Sequence, residues 1–395
     1  MIHLILRLPV PYQQTLCRML NDTYGESFVA WFAERANEEF PHRDSNGPLF
    51  AHRYLSEVGY WQLFKELKAD WEAVVILGGW SSPMTNQTLF MTTALRIPVF
   101  IWADHPHPRK RRWLAERSRR LYLAFLARLV SGFLACGQPT VEHLVSLGIA
   151  RKKITNFPYW VELARDWSVP TRCLDEEAAK QPLRLLAAGR HVPVKQFEVA
   201  IRAVALANSK AGRVLATLTI AGDGPESESL KNLAQSLGCE TTVSFPGWLE
   251  IRNVYEALGE ADALVLTSRF DAFGVVVLEA MAAGRPVLAS NGVIAALDRD
   301  EGSGAVLLHP AGDAAFLAKQ IAELANDREQ LRSASVAARS IAEQWPPERA
   351  TKIVDEILAR TNPNLRLLRN AKASTVRSSV NAEHGGSAAV ATSGK

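Results

Sequence analysis

The sequence has few cysteines, and their spacing suits neither a zinc site nor a disulfide framework. Four occur among 395 residues, and they lie far apart in the chain: Cys17, Cys136, Cys173 and Cys239. Structural zinc sites and redox sites use closely spaced pairs, and small secreted folds are rich in cysteine. We therefore expect a reduced, cytoplasmic protein without a metal site.

The chain also lacks a long hydrophobic run and a strong excess of one charge. The longest apolar stretch, Leu121 to Cys136, is interrupted by Arg128 and is too short to span a bilayer. The first residues are typical of a strand, so we expect no secretory leader. The formal net charge of +4 identifies no partner by itself. These absences predict a protein that is soluble or lies on a membrane without crossing it.

Common nucleotide- and cofactor-binding signatures are absent as well. No G-x-G-x-x-G follows the first strand of either half, which disfavours a Rossmann dehydrogenase. The turn Gly222-Asp223-Gly224-Pro225 is not followed by Gly-Lys-Ser/Thr, so it is not a Walker loop. A lysine site for pyridoxal phosphate cannot be recognised, which disfavours a phosphorylase.

The second half of the sequence alternates short apolar runs with amphipathic stretches. We predict strands at Leu183–Ala188, Ala216–Ala221, Thr241–Phe245, Ala263–Thr267, Pro286–Ser290 and Ala305–Leu308. We predict helices at Gln196–Ala207, Glu226–Leu237, Ile251–Leu258 and Val275–Ala283. Apolar strands separated by helices indicate a parallel sheet covered on both faces. The pattern predicts a doubly wound, Rossmann-like α/β domain.

The first half shows a looser version of the same pattern. Its candidate strands are His3–Leu8, Ser27–Phe32, Ala73–Leu77, Pro98–Ala103 and Gly132–Ala135. We predict two domains, residues 1–165 and 183–344, joined by a linker over residues 166–182. A further helix is expected within residues 345–362, and residues 370–395 have the composition of a disordered tail.

Ligands of open α/β sheets bind beyond the carboxyl ends of the strands, so the loops there carry the candidate site. After the first strand of the second half, Gly189 permits a tight turn, and Arg190 and Lys195 supply two cations. A guanidinium fork and a lysine point charge suit a diphosphate, although a solvated basic loop has the same composition. Gly222 belongs to the turn after the next strand, which on its own is a structural feature.

The segment after the strand Ala263–Thr267 contains two acidic candidates. Asp271 precedes the predicted helix, and Glu279 lies eight positions later inside it. That helix is apolar nearly all round, so Glu279 needs a partner when buried. Sugar hydroxyls are one such partner and an internal salt bridge is the alternative, while Asp271 could instead be a helix N-cap. The start of the helix offers backbone amides to an anion, at Gly274, Val275 and Val276.

Together these three loops resemble the retaining GT-B glycosyltransferases of family 4. The segment from Glu279 to Val287, Glu-Ala-Met-Ala-Ala-Gly-Arg-Pro-Val, is similar to the end of that family's signature. A Gly-Arg…Lys loop and an Ala-Gly-Asp-Gly-Pro turn precede it in the same order, so the match covers roughly residues 183–312. The resemblance implies two facing Rossmann-like domains, with a C-terminal helix that crosses back to the first domain. It also implies a UDP- or GDP-sugar donor bound mainly by the second domain, and no metal or other cofactor.

The resemblance assigns roles to individual residues. Arg190 and Lys195 would hold the donor diphosphate, and Glu279 would bind the ribose hydroxyls. Asp271, with the backbone amides from Phe273 to Val275, would address the transferred sugar.

The sequence departs from the family at two of these positions. Asp271 stands where the family usually has glutamate, and Gln196 replaces a common glycine. Because aspartate is one methylene shorter than glutamate, the identity of the donor sugar stays open.

In the first half, loops after two candidate strands form the expected acceptor side. They contain Pro11, Tyr12, Gly78, Gly79 and Trp80, whereas His105 after a third strand is a catalytic candidate. The family often places a histidine facing the donor sugar after the strand that corresponds to Pro98–Ala103. His105 is the candidate there, and His107 is its neighbour and competitor. The expected acceptor is a saccharide or a lipid-linked saccharide of surface polysaccharide or glycolipid synthesis.

A basic stretch favours contact with an anionic membrane surface. Seven cations fall within twelve positions, against one acid: Arg109, Lys110, Arg111, Arg112, Arg117, Arg119 and Arg120. Trp113 and the apolar run from Leu121 supply hydrophobic surface beside them, which suits the inner face of the plasma membrane. The alternative is a solvated helix face whose apolar side lies in the core. Nothing else in the sequence supports nucleic-acid binding.

Two other functions remain compatible with these motifs. One is a GT-B nucleotide-sugar epimerase, which would transfer no sugar to an acceptor. The other is a non-catalytic nucleotide-sugar-binding protein, which the joint presence of Arg190, Lys195 and Glu279 disfavours.

Overall fold

The computed structural model describes residues 1–35, 48–80, 82–107, 113–161 and 181–361. Two of the predicted segments lie outside these ranges: Arg109–Arg112 and the tail over residues 370–395. Most of the predicted linker over residues 166–182 lies outside them as well.

The described residues form thirteen strands and thirteen α-helices. The strands are β1 Ile2–Leu6, β2 Phe28–Phe32, β3 His52–Tyr54, β4 Val74–Gly78, β5 Val99–Ala103, β6 Gly132–Ala135, β7 Ile154–Asn156, β8 Leu183–Ala188, β9 Ala216–Ala221, β10 Val243–Gly247, β11 Ala263–Leu266, β12 Val287–Ser290 and β13 Val306–His309. The helices are α1 Pro11–Tyr24, α2 Leu55–Ala69, α3 Pro83–Leu95, α4 Trp113–Leu129, α5 Gln138–Ser146, α6 Phe197–Ala211, α7 Ser227–Ser236, α8 Ile251–Glu260, α9 Val276–Ala282, α10 Ile294–Arg299, α11 Ala314–Asn326, α12 Arg328–Glu343 and α13 Glu348–Thr361.

The first sheet has seven strands in the order β3-β2-β1-β4-β5-β6-β7. Strand β1 pairs in parallel with both β2 and β4, and every residue of β1 and β2 is buried. A parallel strand buried on both faces needs a continuous apolar sequence, which Phe28–Phe32 supplies. The edge strands β3 and β7 have only three residues each, and both are partly polar. Neither strand was predicted from the sequence, because neither contains an apolar run.

The second sheet has six strands in the order β10-β9-β8-β11-β12-β13, and all its pairings are parallel. In this doubly wound order the chain moves outward from the central strand β8 to one edge of the sheet, then returns to the centre and moves outward to the other edge. Aliphatic side chains from β8, β9 and β11 form a buried core with helices α6 and α11. The prediction of α/β architecture with a Rossmann-like second half is confirmed.

The last described helix, α13, packs against α1 near the start of the chain. The Tyr24 hydroxyl of α1 donates a hydrogen bond to the Asp355 carboxylate of α13 at 2.7 Å. Hydrophobic residues of α13 are buried as well, including Val354 and Ile357. The predicted helix over residues 345–362 therefore exists, and it begins at Glu348.

The chain divides into two compact units. The first contains Met1–Trp102, Leu126–Phe133 and the helix from Glu348, and the second contains Ala103–Phe125 and Leu134–Pro347. The predicted domain limits, at residues 1–165 and 183–344, stay a prediction. All the donor-side candidates and His105 lie in the second unit.

Candidate functional site

Strands β8 and β11 are neighbours in the second sheet, and the loops that follow them bring the main candidates together. The pairing of Ala263 with Leu185 sets their register. The loop after β8 contains Arg190 and Lys195, and the loop after β11 contains Asp271. The carboxyl ends of neighbouring parallel strands lie at the same edge of a sheet, which explains why residues so far apart in sequence meet.

Lys195 and Asp271 form an ion pair. The Lys195 ammonium donates a hydrogen bond to Asp271 Oδ2 at 2.5 Å, and the two side chains are 22% and 16% exposed. Asp271 does not cap the helix α9, whose N-cap residue is Val275. A lysine has three donor hydrogens, so pairing with one carboxylate oxygen leaves donors for a phosphate. The pair thus places a cation and an anion side by side at the sheet edge.

Arg190 and Gly189 lie in a loop held against the turn after β9. The backbone amide of His191 donates to the Asp223 carbonyl at 2.9 Å, and His191 Nδ1 lies 2.9 Å from Ser227 Oγ. Gly222 has a φ of 134°, and a Cβ on it would lie 1.9 Å from the Gly189 carbonyl oxygen. Only glycine permits that approach. The two loops are therefore fixed to each other, with Arg190 half-buried beside them.

Gln196 follows Lys195 in a left-handed conformation, with a φ of 50°. This conformation explains why a glycine is common here in the family that the sequence resembles. The Gln196 side chain is buried, and Thr267 Oγ1 donates to the Gln196 carbonyl at 2.8 Å. The backbone that carries Lys195 is thereby tied to the end of β11.

The segment between Asp271 and α9 turns sharply at Gly274. This glycine has a φ of 90°, and a Cβ on it would lie 2.9 Å from the Val293 side chain. Phe273 is buried, whereas Val275 and Val276 are half-buried. Helix α9 has seven residues, fewer than the predicted Val275–Ala283, because Val275 is its cap.

Glu279 is a half-buried carboxyl on α9 that hydrogen-bonds the Tyr255 hydroxyl of α8. Burial raises the pKa of Glu279 to about 7, against the opposing effect of the Tyr255 hydrogen bond. Glu279 takes part in no ion pair among the described residues. The described residues therefore do not support the salt-bridge alternative for Glu279. The pKa of its carboxyl lies near neutral pH.

Arg285 belongs to the segment from Glu279 to Val287 that resembles the family signature, and its role there is structural. It is 2% exposed, and its guanidinium donates to the carbonyls of Leu258 at 3.0 Å and Gly259 at 2.7 Å. These carbonyls lie at the end of α8, where a cation compensates the helix dipole. Arg285 thus fixes the helix that carries Tyr255.

His105 follows β5 and lies beside the residue that precedes Asp271. Its ring is 6.2 Å from the Phe270 ring, and the more exposed His107 is 4.7 Å from the same ring. His105 Nδ1 lies 3.2 Å from the Pro106 carbonyl, so this nitrogen carries the proton in the neutral ring. Burial lowers the pKa of His105 below its ordinary value, and the positive charge of Arg119 lowers it further. Both effects favour the neutral form of the His105 imidazole.

Two more side chains adjoin His105. The His143 ring of α5 is 5.0 Å from the His105 ring, and Arg119 Nη2 of α4 lies 3.3 Å from His143 Nε2. Because an arginine can only donate, His143 Nε2 accepts this hydrogen bond. His143 could not be predicted from the sequence, because only the tertiary structure brings α4, α5 and the β5 loop together. Tyr255 was missed for the same reason.

The remaining candidates lie in the first unit. The first loop is shorter than predicted, since α1 begins at Pro11 and Tyr12 is already helical. Gly78 ends β4, and a Cβ on it would lie 2.8 Å from a Leu6 methyl group. The Gly79 amide donates to the Trp102 carbonyl at 2.8 Å, and Trp80 follows half-buried. An acceptor role for these residues stays a prediction.

Helix α4 presents both apolar and basic side chains to solvent. Leu121 is 66% exposed and Phe125 is 57% exposed, whereas Leu123 is fully buried. Arg117 and Arg120 are exposed on the same helix. The apolar run that follows the basic stretch is thus only partly core. Among the helices of the described ranges, none combines the length and the apolar composition that crossing a bilayer requires.

Residues 175–341 match the sequence model of a protein family described as glycosyl transferases group 1. The chain is 35% identical over 146 residues to the lipopolysaccharide core biosynthesis glycosyltransferase LpsD of Rhizobium meliloti, which covers 35% of this chain and 38% of LpsD. It is 36% identical over 143 residues to N-acetyl-alpha-D-glucosaminyl L-malate synthase of Bacillus anthracis, covering 36% of each chain. The matches therefore span less than two fifths of these curated relatives.

The whole fold resembles that of solved structures. HepE of Anabaena, crystallised in complex with UDP, aligns with a TM-score of 0.73 at 17% identity, covering 91% of this chain and 99% of HepE. At this identity the likeness concerns the fold alone. The chain has the α/β architecture of the GT-B fold, with two Rossmann-like domains, as the sequence predicted.

Proposed function

We propose that the protein is a retaining glycosyltransferase of family 4. It transfers a hexosyl or related sugar from a UDP- or GDP-sugar to a saccharide or lipid-linked saccharide. The observation that carries the proposal is the Lys195–Asp271 ion pair at the edge where β8 and β11 end. The family match over residues 175–341 and the glycosyltransferase relatives support the same activity.

The donor binds through its diphosphate and its ribose. Arg190 and Lys195 supply cations to the diphosphate, and Glu279 accepts hydrogen bonds from the ribose hydroxyls. The backbone amides from Phe273 to Val276 add donors in the same loop. Asp271 holds the transferred sugar, and its pairing with Lys195 links sugar and diphosphate recognition.

The reaction breaks the bond between the anomeric carbon and the diphosphate, and it forms a bond from the acceptor oxygen to that carbon. Negative charge grows on the departing diphosphate as the bond breaks. Arg190 and Lys195 stabilise that charge without a bound metal, which lowers the barrier of the chemical step. The acceptor hydroxyl loses its proton to the departing diphosphate, and His105 lies beside the transferred sugar.

The acceptor belongs to surface polysaccharide or glycolipid synthesis and is reached from the cytoplasm at an anionic membrane surface. Exposed Leu121 and Phe125 on α4, next to Arg117 and Arg120, support this placement. Basic side chains are drawn to anionic lipid, and apolar side chains enter the interface.

A thermal-shift panel of UDP-, GDP- and ADP-sugars tests the donor proposal. A ligand at 100 times its Kd stabilises the folded protein by about 2.7 kcal/mol, so the cognate donor gives a clear shift. Failure of every nucleotide to stabilise the protein contradicts the proposal.

Product analysis separates the transferase from the nucleotide-sugar epimerase. Incubation with the cognate donor alone gives a new sugar nucleotide only if the enzyme is an epimerase. Transfer of labelled sugar to a membrane extract, without epimer formation, supports the transferase.

A further inference from the structure

The side chains Arg119, His143 and His105 form a cluster, of which the proposed function uses only His105. The His105 and His143 rings are 5.0 Å apart, and Arg119 Nη2 is 3.3 Å from His143 Nε2. All three side chains are half-buried. They come from the β5 loop, α4 and α5, so the fold rather than a local motif assembles them.

The cluster lies next to the place where the sugar would be transferred. The Phe270 ring is 6.2 Å from His105, and Phe270 directly precedes Asp271, the partner of Lys195. A group bound at the cluster is therefore near the transferred sugar. It is separate from the loop that contains Arg190.

The chemistry of the cluster suits a molecule with a hydroxyl and a negative charge. His105 Nδ1 faces the Pro106 carbonyl, so Nε2 of the neutral ring can accept a hydrogen bond from a hydroxyl. Arg119 carries a permanent positive charge, and its guanidinium has five N–H donors in a fork that matches an oxyanion. Burial lowers the pKa of His105 most, and the positive charge of Arg119 acts in the same direction.

We propose that Arg119, His143 and His105 form an oxyanion-binding subsite for the acceptor, which carries a phosphate or carboxylate near its reacting hydroxyl. Arg119 binds the oxyanion, and His143 positions the guanidinium. His105 Nε2 accepts a hydrogen bond from another hydroxyl of the acceptor. The assignment to the acceptor rests on the proposed transferase function, whereas oxyanion binding by the cluster does not.

Calorimetric titration of the full chain with inorganic phosphate tests the subsite. Arg119→Gln should weaken the Arg119-dependent binding about tenfold or more, since hydrogen bonds to charged groups are strong. Arg119→Lys keeps the charge but loses the fork and should recover only part of the affinity. The matched control is Arg128→Gln, which removes an exposed arginine from the same helix and should change nothing.

Two further experiments distinguish phosphate binding at Arg119 from phosphate binding in the donor loop and from binding to lipid headgroups. Lys195→Gln should leave the Arg119-dependent phosphate binding in place, because that lysine belongs to the donor loop. Sedimentation of the wild-type protein and of Arg119→Gln with anionic and with neutral phospholipid vesicles tests whether Arg119 binds lipid headgroups instead.

The outcomes are distinct. Absence of phosphate binding, equal losses in the Arg119 and Arg128 variants, or an Arg119 effect confined to vesicles would each overturn the subsite. Persistence of the nucleotide thermal shift in Arg119→Gln shows that the donor site is intact. If phosphate binds through Arg119 but no nucleotide stabilises the protein, the proposed function fails while oxyanion binding stands.

Discussion

Lys195 holds Asp271 and, in the proposed reaction, the departing diphosphate. Lys195→Ala should lower turnover about a hundredfold, because it removes a charge that matters most when the diphosphate leaves. Binding of the sugar nucleotide should weaken less than turnover. Steady-state rates and equilibrium titration with the donor chosen by the thermal-shift panel measure the two effects.

The control for this change is Lys231→Ala. Lys231 also pairs with a carboxylate, Glu228, at 2.7 Å, but it lies exposed on α7. Exposed pairs of this kind contribute little, so the rate should stay unchanged. Unchanged turnover in Lys195→Ala, or strict dependence on a divalent ion, contradicts the proposed role.

Replacing Glu279 by glutamine should raise the stability of the nucleotide-free protein at high pH and weaken the binding of the donor. Its pKa is raised from 4.5 to about 7 in the folded protein, so the unfolded chain ionises it at lower pH than the folded chain does. The folded state therefore loses stability as the pH rises from 4.5 to 7. Glu279→Gln removes this loss, so without nucleotide it should be more stable at pH 8, by at most about 3 kcal/mol. Well below pH 4.5 the two proteins should be equally stable, because the carboxyl is then protonated in both states.

The same variant should bind nucleoside diphosphate more weakly, because an amide is a poorer acceptor for two ribose hydroxyls than a carboxylate. Urea unfolding at several pH values and titration with UDP or GDP measure both effects. Glu256→Gln, on the exposed face of α8, is the control and should change neither. Weaker stability at pH 8 with unchanged nucleotide binding would assign Glu279 a structural role.

Asp298 connects two helices of the second unit. Its Oδ1 accepts a hydrogen bond from the Gln138 amide, at the start of α5, at 2.5 Å. Its Oδ2 pairs with Arg299 at 2.7 Å, and both side chains are nearly fully buried. The Arg299 guanidinium also lies 3.9 Å from the centre of the Trp345 ring. One carboxylate thus serves a helix N-terminus and a buried cation.

Asp298→Ala should lower the free energy of unfolding by about 3 kcal/mol, since it removes one partner of a buried ion pair together with the helix contact. Asp298→Asn should cost less, because its amide oxygen still accepts from Gln138. Urea denaturation measures the difference. Asp300→Asn, at the exposed neighbouring carboxylate, should change the free energy by less than about 0.5 kcal/mol. Equal losses in the two Asp298 variants would show that the helix contact adds nothing.

The sequence predicted the buried elements well and the exposed edges poorly. Strands β6, β8 and β9 begin and end at the predicted residues, because continuous apolar runs define them. Strand β3 reads His-Arg-Tyr and has no such run, so only its pairing with β2 makes it a strand. Short edge strands depend on a neighbour rather than on their own sequence.

The candidate site was predictable only where loops that follow neighbouring strands contain the chemistry. Arg190, Lys195 and Asp271 follow strands, so the pattern indicated that they meet. The contact of Glu279 with Tyr255 joins two helices, and the contact of Arg119 with His143 joins two others. Helix-to-helix contacts depend on how each helix is rotated over the sheet, which single-sequence periodicity does not specify.

The two sheets have closely related strand orders, 3-2-1-4-5-6 in the second and the same order with a seventh strand in the first. In each, the first strand is central and the chain moves outward on both sides of it. This arrangement places loops after central strands at one edge of each sheet, where ligands bind. The donor-side candidates follow β8, β9 and β11, the acceptor-side candidates follow β1 and β4, and His105 follows β5.

For the whole protein, we predict reversible binding to anionic membranes through α4 and the basic stretch that precedes it. Arg109, Lys110, Arg111 and Arg112 lie outside the described residues, but each cation near anionic lipid contributes about 1 kcal/mol. Replacing all four by glutamine should abolish sedimentation with anionic liposomes. Phe125→Ser removes an aromatic side chain that is 57% exposed, so it should weaken partitioning about tenfold. Added salt should weaken binding of the wild-type protein, because it screens the charges.

The matched control is Phe316→Ser on α11, which removes a phenylalanine that is 44% exposed on the second sheet's helix layer. It should sediment like the wild type, since its surroundings lack the basic stretch. Neutral liposomes should bind every variant weakly, because the charges contribute only with anionic lipid. If the wild-type protein stays in the supernatant with anionic liposomes at low salt, α4 does not dock on membranes. The acceptor would then be a soluble saccharide, and the exposed apolar side chains of α4 would need a different partner.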